Sequence, residues 1–554
     1  MTKIVKWIIS ILIIFPLLMT GCNPREESKL QDELDEIQHD LITLETELAE
    51  LRIGQSQIET ELASLKPRIG ELEVGQITVP LSIPRTVTKV VAASDSSDLG
   101  KKQADYVCDG VDDQVEIQAA IDALPADGGS VLLLEGLYTI GNHILLSDNI
   151  TLEGTGFETV IKIRDGYNDN INMIENSDQT NGNTQIIITK LRLDGNMANN
   201  ADKSQRGIYL RAVRSCIVSE VLAENFHDIG ICFWGEPGKG NDYNLVVENI
   251  VRNCANKSDK GNIYLDSFHY GVVSGNVIYG NIGVGITAPR ALLMVCGSHR
   301  TTITGNVLYD SIDVGFRTFA SMDLIISGNS ISYCQNDGMR LENGITTSNI
   351  SNNIIHNVNG KGIYLFSNDC RGNVINSNVI DYHRHGIYLE DANHNSIVGN
   401  NIGEANSTGY DGIFLVNSEH NLIQSNSINR LIFSLQRYGI NISDADSVGN
   451  LILGNDLYES GSTGALNNAG TATVAKNNNG YNPVGISSII VGVSPFNYTA
   501  GPSPETVYVS GGTASSITKG GNNFGLTSGS FELEPYESIV VTYTTTPTMH
   551  KDVH

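Results

Sequence analysis

Two hydrophobic rhythms divide the chain. From Leu30 to Leu72 apolar residues recur in steps of four and three. Leu30, Ile37, Leu44, Leu51, Ile58, Leu65 and Leu72 form one seam, and Leu34, Leu41, Leu48, Gln55, Leu62 and Ile69 form the other. Glu, Asp, Gln and Lys flank both. One helix alone cannot bury such a double stripe, so the heptads predict a coiled-coil stalk that joins several copies of the chain. Dimer and trimer stay open, and a helical hairpin within one chain, turning near Gly54, is the alternative. Residues 77–93 read as a linker.

Beyond it, over 94–480, the period drops to two. Short apolar–polar alternations are separated by Gly, Asn, Asp and Ser, which is strand and turn chemistry. A glycine opens each unit at Gly207, Gly230, Gly261, Gly285, Gly315, Gly338, Gly362, Gly386, Gly412 and Gly439, in steps of 23 to 31 residues. A period near 24 with occasional insertions predicts a solenoid. A second column, Asn225, Asn249, Asn276, Asn306, Asn329, Asn353, Asn378, Asn400, Asn426 and Asn455, predicts asparagines stacked from rung to rung. Residues 481–546 alternate again but without the repeat, and predict a small β-sandwich-like C-terminal module. Residues 547–554 read as a tail. The expected fold class is therefore all-β, a parallel β-helix with an N-terminal coiled-coil stalk and a small C-terminal β-rich module.

Alternation also assigns faces. Counting from each repeat glycine, the first and third residues point inward, as Ile387 and Leu389 do, and the second and fourth point outward. The second column reads Tyr209, Cys232, Tyr264, Thr287, Arg317, Arg340, Tyr364, Tyr388, Phe414 and Asn441, where an extra Asn262 after Gly261 shifts that one rung by a residue. The fourth includes Arg211, Trp234, Asp266, Pro289, Phe319, Glu342, Phe366 and Glu390. Flat sugar rings stack on aromatic faces and arginine pairs with carboxylates, so this stripe predicts a polysaccharide groove. Trp234, Tyr264, Asp266, Arg317, Lys361, Tyr364 and Phe414 are the candidate binding residues. Arg340, Glu342, His385, Tyr388 and Glu390 are the candidate catalytic ones: Glu342 and Glu390 as a carboxylate pair for hydrolysis, or Tyr388 or His385 as base with Arg340 or Lys361 as cation for elimination. A smaller second cluster comprises Trp234, Asp266, His269 and Tyr270.

Charge narrows the partners. At net charge -27 the surface repels nucleic acid and anionic lipid head groups, and an acidic polymer needs a local cationic patch. Eight cysteines without a CxxC pair indicate neither a zinc site nor a disulfide scaffold. No cofactor is indicated with certainty. A calcium ion held by aspartates of the groove is open, although no loop spacing announces one.

The N-terminus carries an address. Lys3 and Lys6 precede an apolar run from Trp7 to Met19, too short to span a bilayer. The pattern is a secretory signal over residues 1–21. Its end, Met-Thr-Gly-Cys, resembles a bacterial lipobox, which implies lipidation of Cys22 and attachment of the mature protein to a membrane outside the cytoplasm.

The stretch "DGVDDQVEIQAAIDALPADGGSVLLLEGLY" from Asp109, with "LRLDGN" at Leu191–Asn196, resembles the opening of the pectate-lyase-like superfamily of right-handed parallel β-helices. There a short helix, here expected around Val115–Leu124, caps the first rung. Glu135 stands where that superfamily usually has proline. The resemblance covers roughly 91–478 and implies fold far more than activity. The Asn-Thr-Asp, Gly-His-Asp and Arg-Ile-Lys set of polygalacturonases is missing, as are the Asp-Pro-His-Glu of mannuronan epimerases and the Arg-x-Pro-x-x-Arg of calcium pectate lyases. Together these readings describe a lipid-anchored, extracytoplasmic β-helix protein that binds polysaccharide and degrades it as a lyase or glycoside hydrolase does. The alternative is a non-catalytic adhesin or structural spike.

Overall fold

The structure, a computed structural model, describes residues 87–236, 238–254, 260–281, 291–428, 436–481 and 486–553. The signal, Cys22 and the heptads lie outside the described residues.

The body is a parallel β-solenoid. Each turn contributes one strand to each of three parallel sheets: sheet 1 with 16 strands, sheet 2 with 12 and sheet 3 with 13. In one rung these are Asn349–Ser351, Ile354–Val358 and Ile363–Phe366. The alternation of the sequence becomes the wall of the column. Ile350, Ile355, Ile363 and Leu365 are fully buried, and their equivalents stack above and below them along the axis. Removing this continuous apolar column from water is the main stabilising term.

The two recurrent glycine classes have different causes. In "GN" words such as Gly328-Asn329 and Gly399-Asn400 the glycine has φ of +66° and +64°, the left-handed turn between sheets 1 and 2. The glycine opening each sheet 3 strand is instead a close approach. A Cβ on Gly386 would lie 2.6 Å from the Gly412 carbonyl oxygen and 2.5 Å from Ile402 Cγ2.

The asparagine following the left-handed turn forms the expected ladder. Asn353 Oδ1 accepts the backbone N–H and side-chain N–H of Asn329 (3.0 and 2.9 Å), while Asn353 Nδ2 donates to Asn378 Oδ1 and to the Ile326 carbonyl. The ladder runs from Asn249 to Asn478. Asn225 does not belong to it; the corresponding place is Val221, whose N–H donates to Asn249 Oδ1. A second ladder, not anticipated, connects Asn373, Asn395, Asn421 and Asn450 before sheet 1.

Two boundaries shift. Thr88–Ala92, expected in the linker, is the first strand of sheet 1 and pairs with Gly129–Leu133. Two helices close this end. Helix α1 (Asp98–Gln103) was not expected; Ser97 caps it by accepting the Gly100 N–H. Helix α2 (Gln114–Asp122) was, and it buries Ile117, Ala120 and Ile121 while Val115 stays exposed. The expected tail contains strand Thr548–Val553, central in an antiparallel sheet with Ile486–Ile489, Glu505–Ser510 and Gly529–Leu533. A second antiparallel four-stranded sheet is built on Ser538–Thr545. The C-terminal strands share a core of Val507, Ile517, Phe531, Ile539, Val541 and Met549. This region meets the last rung through the Ala475 N–H to the Pro502 carbonyl (3.2 Å) and the Lys476–Glu534 ion pair.

Candidate functional site

The outer face of sheet 3 carries the anticipated stripe, with one register change. Gly285, Thr287 and Pro289 lie outside the described residues, and strand Ala291–Cys296 supplies that rung. Met294 therefore sits between Tyr264 and Arg317, and Cys296 between Asp266 and Phe319. Four-residue counting fails here because the insertion precedes the strand.

The stripe has two halves. In the N-terminal half Tyr209, Cys232, Tyr264, Met294 and Cys296 are buried together, and Trp234 and Phe319 pack against them. Tyr264 lies 5.6 Å from Trp234 and accepts a hydrogen bond from Cys296 Sγ. Burial pushes the Tyr264 phenol and the Asp266 carboxyl up from their ordinary values. Tyr264, expected as a sugar platform, is instead part of a satellite core. Trp234 keeps a half-exposed face with the Lys260 ammonium 5.3 Å above it. The second cluster does not assemble: His269 stacks on His299 (4.8 Å) and Tyr270 on Tyr243 (5.1 Å), at the corner leading into sheet 1.

The C-terminal half is more polar: Glu342, Tyr364 and His385 are buried, whereas Arg317, Arg340, Tyr388, Glu390 and Phe414 are half-buried. Arg317 Nε donates to Glu342 Oε1 (2.7 Å) and Arg340 Nε to Glu342 Oε2 (2.8 Å), so both oxygens of Glu342 are held by guanidinium groups. Glu342, expected as a catalytic carboxylate, thus carries a guanidinium bond on each oxygen and links two neighbouring rungs. Arg340 is likewise engaged, with Asp337 3.7 Å away. Asp337 is fully buried and accepts the Lys361 backbone N–H (2.8 Å); burial pushes its carboxyl up.

The remaining candidates converge. The Lys361 ammonium lies 4.1 Å from the Tyr364 ring centroid and 5.1 Å from that of Tyr388, with no carboxylate in ion-pair contact among the described residues. The Tyr364 hydroxyl donates to Glu390 Oε2 (2.5 Å). Tyr388 meets Tyr364 edge-on at 5.1 Å and stacks on Phe414 at 4.9 Å, which makes a Tyr388–Phe414 platform. Burial pushes the Tyr388 phenol up to about 12, which keeps it protonated at neutral pH. His385 packs against Tyr388, Tyr410 and Phe414, and its Nδ1 accepts the Asp411 N–H (3.3 Å). Burial, helped by the neighbouring His383, Lys361, Arg437 and Arg384, pushes His385 down to about 3. It is neutral at neutral pH, and its accepting nitrogen is already used.

Sequence counting missed Tyr410, Arg384 and Arg437. Arg437 clamps Asp411 through two bonds (3.1 and 2.7 Å), and Arg384 covers the Tyr410 ring. The signal was present: Arg384, Tyr410 and Arg437 each stand two residues before a repeat glycine, whereas the count began after it.

No trio of His, Cys, Asp or Glu ligand atoms converges on this face among the described residues. The trio that does, Cys108, Asp113 and Glu116, lies at the helix-capped end. There both Asp113 oxygens already accept backbone N–H bonds, from Gly110 and Thr139.

Comparison with known proteins agrees with the architecture. Residues 257–402 match the family model described as a right handed beta helix region. Over 105 residues the chain is 42% identical to mannuronan C5-epimerase AlgE6 of Azotobacter vinelandii, covering 17% of this chain and 12% of that protein. Over 149 residues it is 30% identical to alginate lyase 7 of the same organism, covering 25% and 15%. The matches thus span only a small part of each relative's length. Among solved structures, the AlgE6 A-module of Azotobacter vinelandii is 20% identical with a TM-score of 0.46, covering 68% of this chain and 97% of that one. The tailspike protein of E. coli bacteriophage HK620 is 13% identical with a TM-score of 0.49, covering 80% and 89%. The chain carries a right-handed parallel β-helix.

Proposed function

We propose that the protein binds a uronate-bearing polysaccharide along the C-terminal half of the sheet 3 face and acts on it beside Tyr388. The observation that carries this reading is the Tyr388–Phe414 platform next to the Lys361 ammonium, which among the described residues makes no direct ion pair and feels the buried Asp337 only at longer range. Elsewhere on this face cations are matched: Arg317 and Arg340 by Glu342, Arg206 by Asp228, Arg437 by Asp411. Lys361 and the exposed Arg384 make no such ion pair among the described residues and suit a sugar carboxylate. The names of the relatives, epimerases of mannuronan and a lyase of alginate, point to the same class of polymer.

The geometry suits chemistry at the carbon next to that carboxylate better than hydrolysis. Lys361 would hold the carboxylate and the negative charge that develops on it as the neighbouring C–H bond breaks. Glu390, oriented by the Tyr364 hydroxyl, is the proton acceptor. The protonated Tyr388 phenol is the donor, delivering its proton to the departing glycosidic oxygen in an elimination or to the opposite carbon face in an epimerisation. The roles of base first considered for Tyr388 and His385 give way to donor and packing partner. A Glu342–Glu390 hydrolytic pair is disfavoured because Glu342 is held on both oxygens. The lipid anchor at Cys22 and the oligomerising stalk belong to this proposal as the elements that would hold the β-helix outside the cytoplasm. Among the described residues no helix is long and apolar enough to cross a membrane.

The test is incubation of the protein with acidic and neutral polysaccharides, following ultraviolet absorbance for unsaturated ends, proton exchange at the sugar carbon and reducing ends. Unsaturated ends or exchange on a polyuronate alone is the expected result. Reducing ends without unsaturation would favour hydrolysis, and binding without any turnover would favour the adhesin.

A further inference from the structure

Charged side chains stud the outer faces of sheets 2 and 3, among them Glu224, Arg252 and Asp381 on sheet 2 and Arg317, Arg340 and Glu390 on sheet 3. Sheet 1 differs. Eleven successive strands, from Ile187–Thr189 to Leu451–Leu453, contain no Asp, Glu, Lys, Arg or His and no aromatic residue. Soluble surfaces usually carry roughly a quarter to a third charged residues. Charge returns on either side, with Glu153 in the preceding strand and Lys476 in the following one. Each strand of the stretch pairs with the next residue for residue, so the face is an unbroken ladder. Its outward residues are aliphatic or small and polar. Ile325, Val374 and Leu451 are 47%, 38% and 41% exposed, beside Ser327, Asn349 and Asn376.

We infer that this face is a docking surface for a second copy of the same chain, laid side by side with its axis parallel. Two chains of charge -27 repel on any charged face, and burying ions there costs desolvation as well. On the sheet 1 strands no ion has to be desolvated, and the repulsion is weakest there, although Lys190, Glu220 and Glu248 border the face. The face measures about 50 Å by 10 Å at ordinary strand spacings, or about 1,000 Å² buried in total by two copies, the threshold for a specific but weak interface. The heptads at 30–72, read as an oligomerising stalk, supply the high local concentration that a weak interface needs. A glycan is a poor occupant, because no ring is there to stack on. An anionic membrane is repelled by the acidic body.

The seven described cysteines are buried, so an added surface thiol reports on its own surroundings. The probe is full-length protein carrying Cys22→Ser, with Asn349→Cys in the centre of the face or Asn401→Cys on exposed sheet 2 as comparator. Under mild oxidation Asn349→Cys should form disulfide-linked dimers at least tenfold faster than Asn401→Cys. Adding Ile325→Lys with Val374→Lys, or Ser327→Lys alone, should bring that rate down to the comparator's with an unchanged melting temperature. Equal rates for the two cysteines, or a rate unmoved by lysine in a folded variant, would overturn the inference. So would loss of polysaccharide or vesicle binding in the lysine variants with cross-linking unaffected, which would hand the face to that ligand.

Discussion

The two halves of the sheet 3 stripe follow one sequence rule and end in opposite states. Tyr209, Tyr264, Tyr364 and Tyr388 all stand at the second place after the repeat position, all outward. Tyr264 lies against Met294 and Cys296 in a sealed apolar cluster, whereas Tyr388 lies between Lys361, His385 and Phe414 with part of its ring open. Outward on a solenoid strand means away from the column, and what is layered over the strand decides whether it also means solvent. Tyr364, 5% exposed, is as buried as Tyr264 at 7%, so of the four tyrosines it is Tyr388 that keeps an open ring available for recognition.

That comparison can be broken by mutation. Tyr264→Ala should have the largest effect on stability, about 3 kcal/mol as for other buried aromatic truncations. A melting temperature unchanged from wild type would show that the N-terminal half is open after all. Glu342→Gln should follow closely, at up to about 3 kcal/mol, because it leaves Arg317 and Arg340 without their shared carboxylate in a largely desolvated setting. Thermal unfolding reads this as well, and an equally stable variant would return Glu342 to the list of catalytic candidates. Asn353→Ala should cost about 1–3 kcal/mol for its lost ladder bonds, and Asn225→Ala, outside the ladder, distinctly less.

Acid should separate the halves further. His385 and the fully buried His383 are held down to about 3 and about 4, mainly by burial, against an ordinary value near 6.5. Between those values the unfolded chain binds protons that the folded one does not. Their contribution is thus complete above about pH 6.5 and is lost progressively as the pH falls toward 4 and 3. The melting temperature should drop across that window, and His383→Asn should flatten the drop. A profile flat down to pH 4 would mean that both rings are solvated.

The solenoid was legible because its determinants are local and repeated. Alternation sets the inward residues, the left-handed glycine and its asparagine set one corner, and the close-packed glycine sets another. The site was less legible for two reasons. The irregular rung at Ala291–Cys296 moved the register by an insertion that no periodicity records. Arg384, Tyr410 and Arg437 reach the site from the residues just before the strand, where the alternation carries no facing information. The burial of Tyr264 was beyond reach of the strand pattern, because it depends on side chains from neighbouring rungs closing over it.

The most direct test of the account is calorimetric titration of alginate oligomers into wild type and Tyr388→Ala at matched ionic strength. The account predicts that Tyr388→Ala weakens binding at least tenfold, through loss of a stacking contact worth about 1–3 kcal/mol, while the melting temperature stays within a degree or two of wild type. Equal affinities in two folded proteins would contradict it.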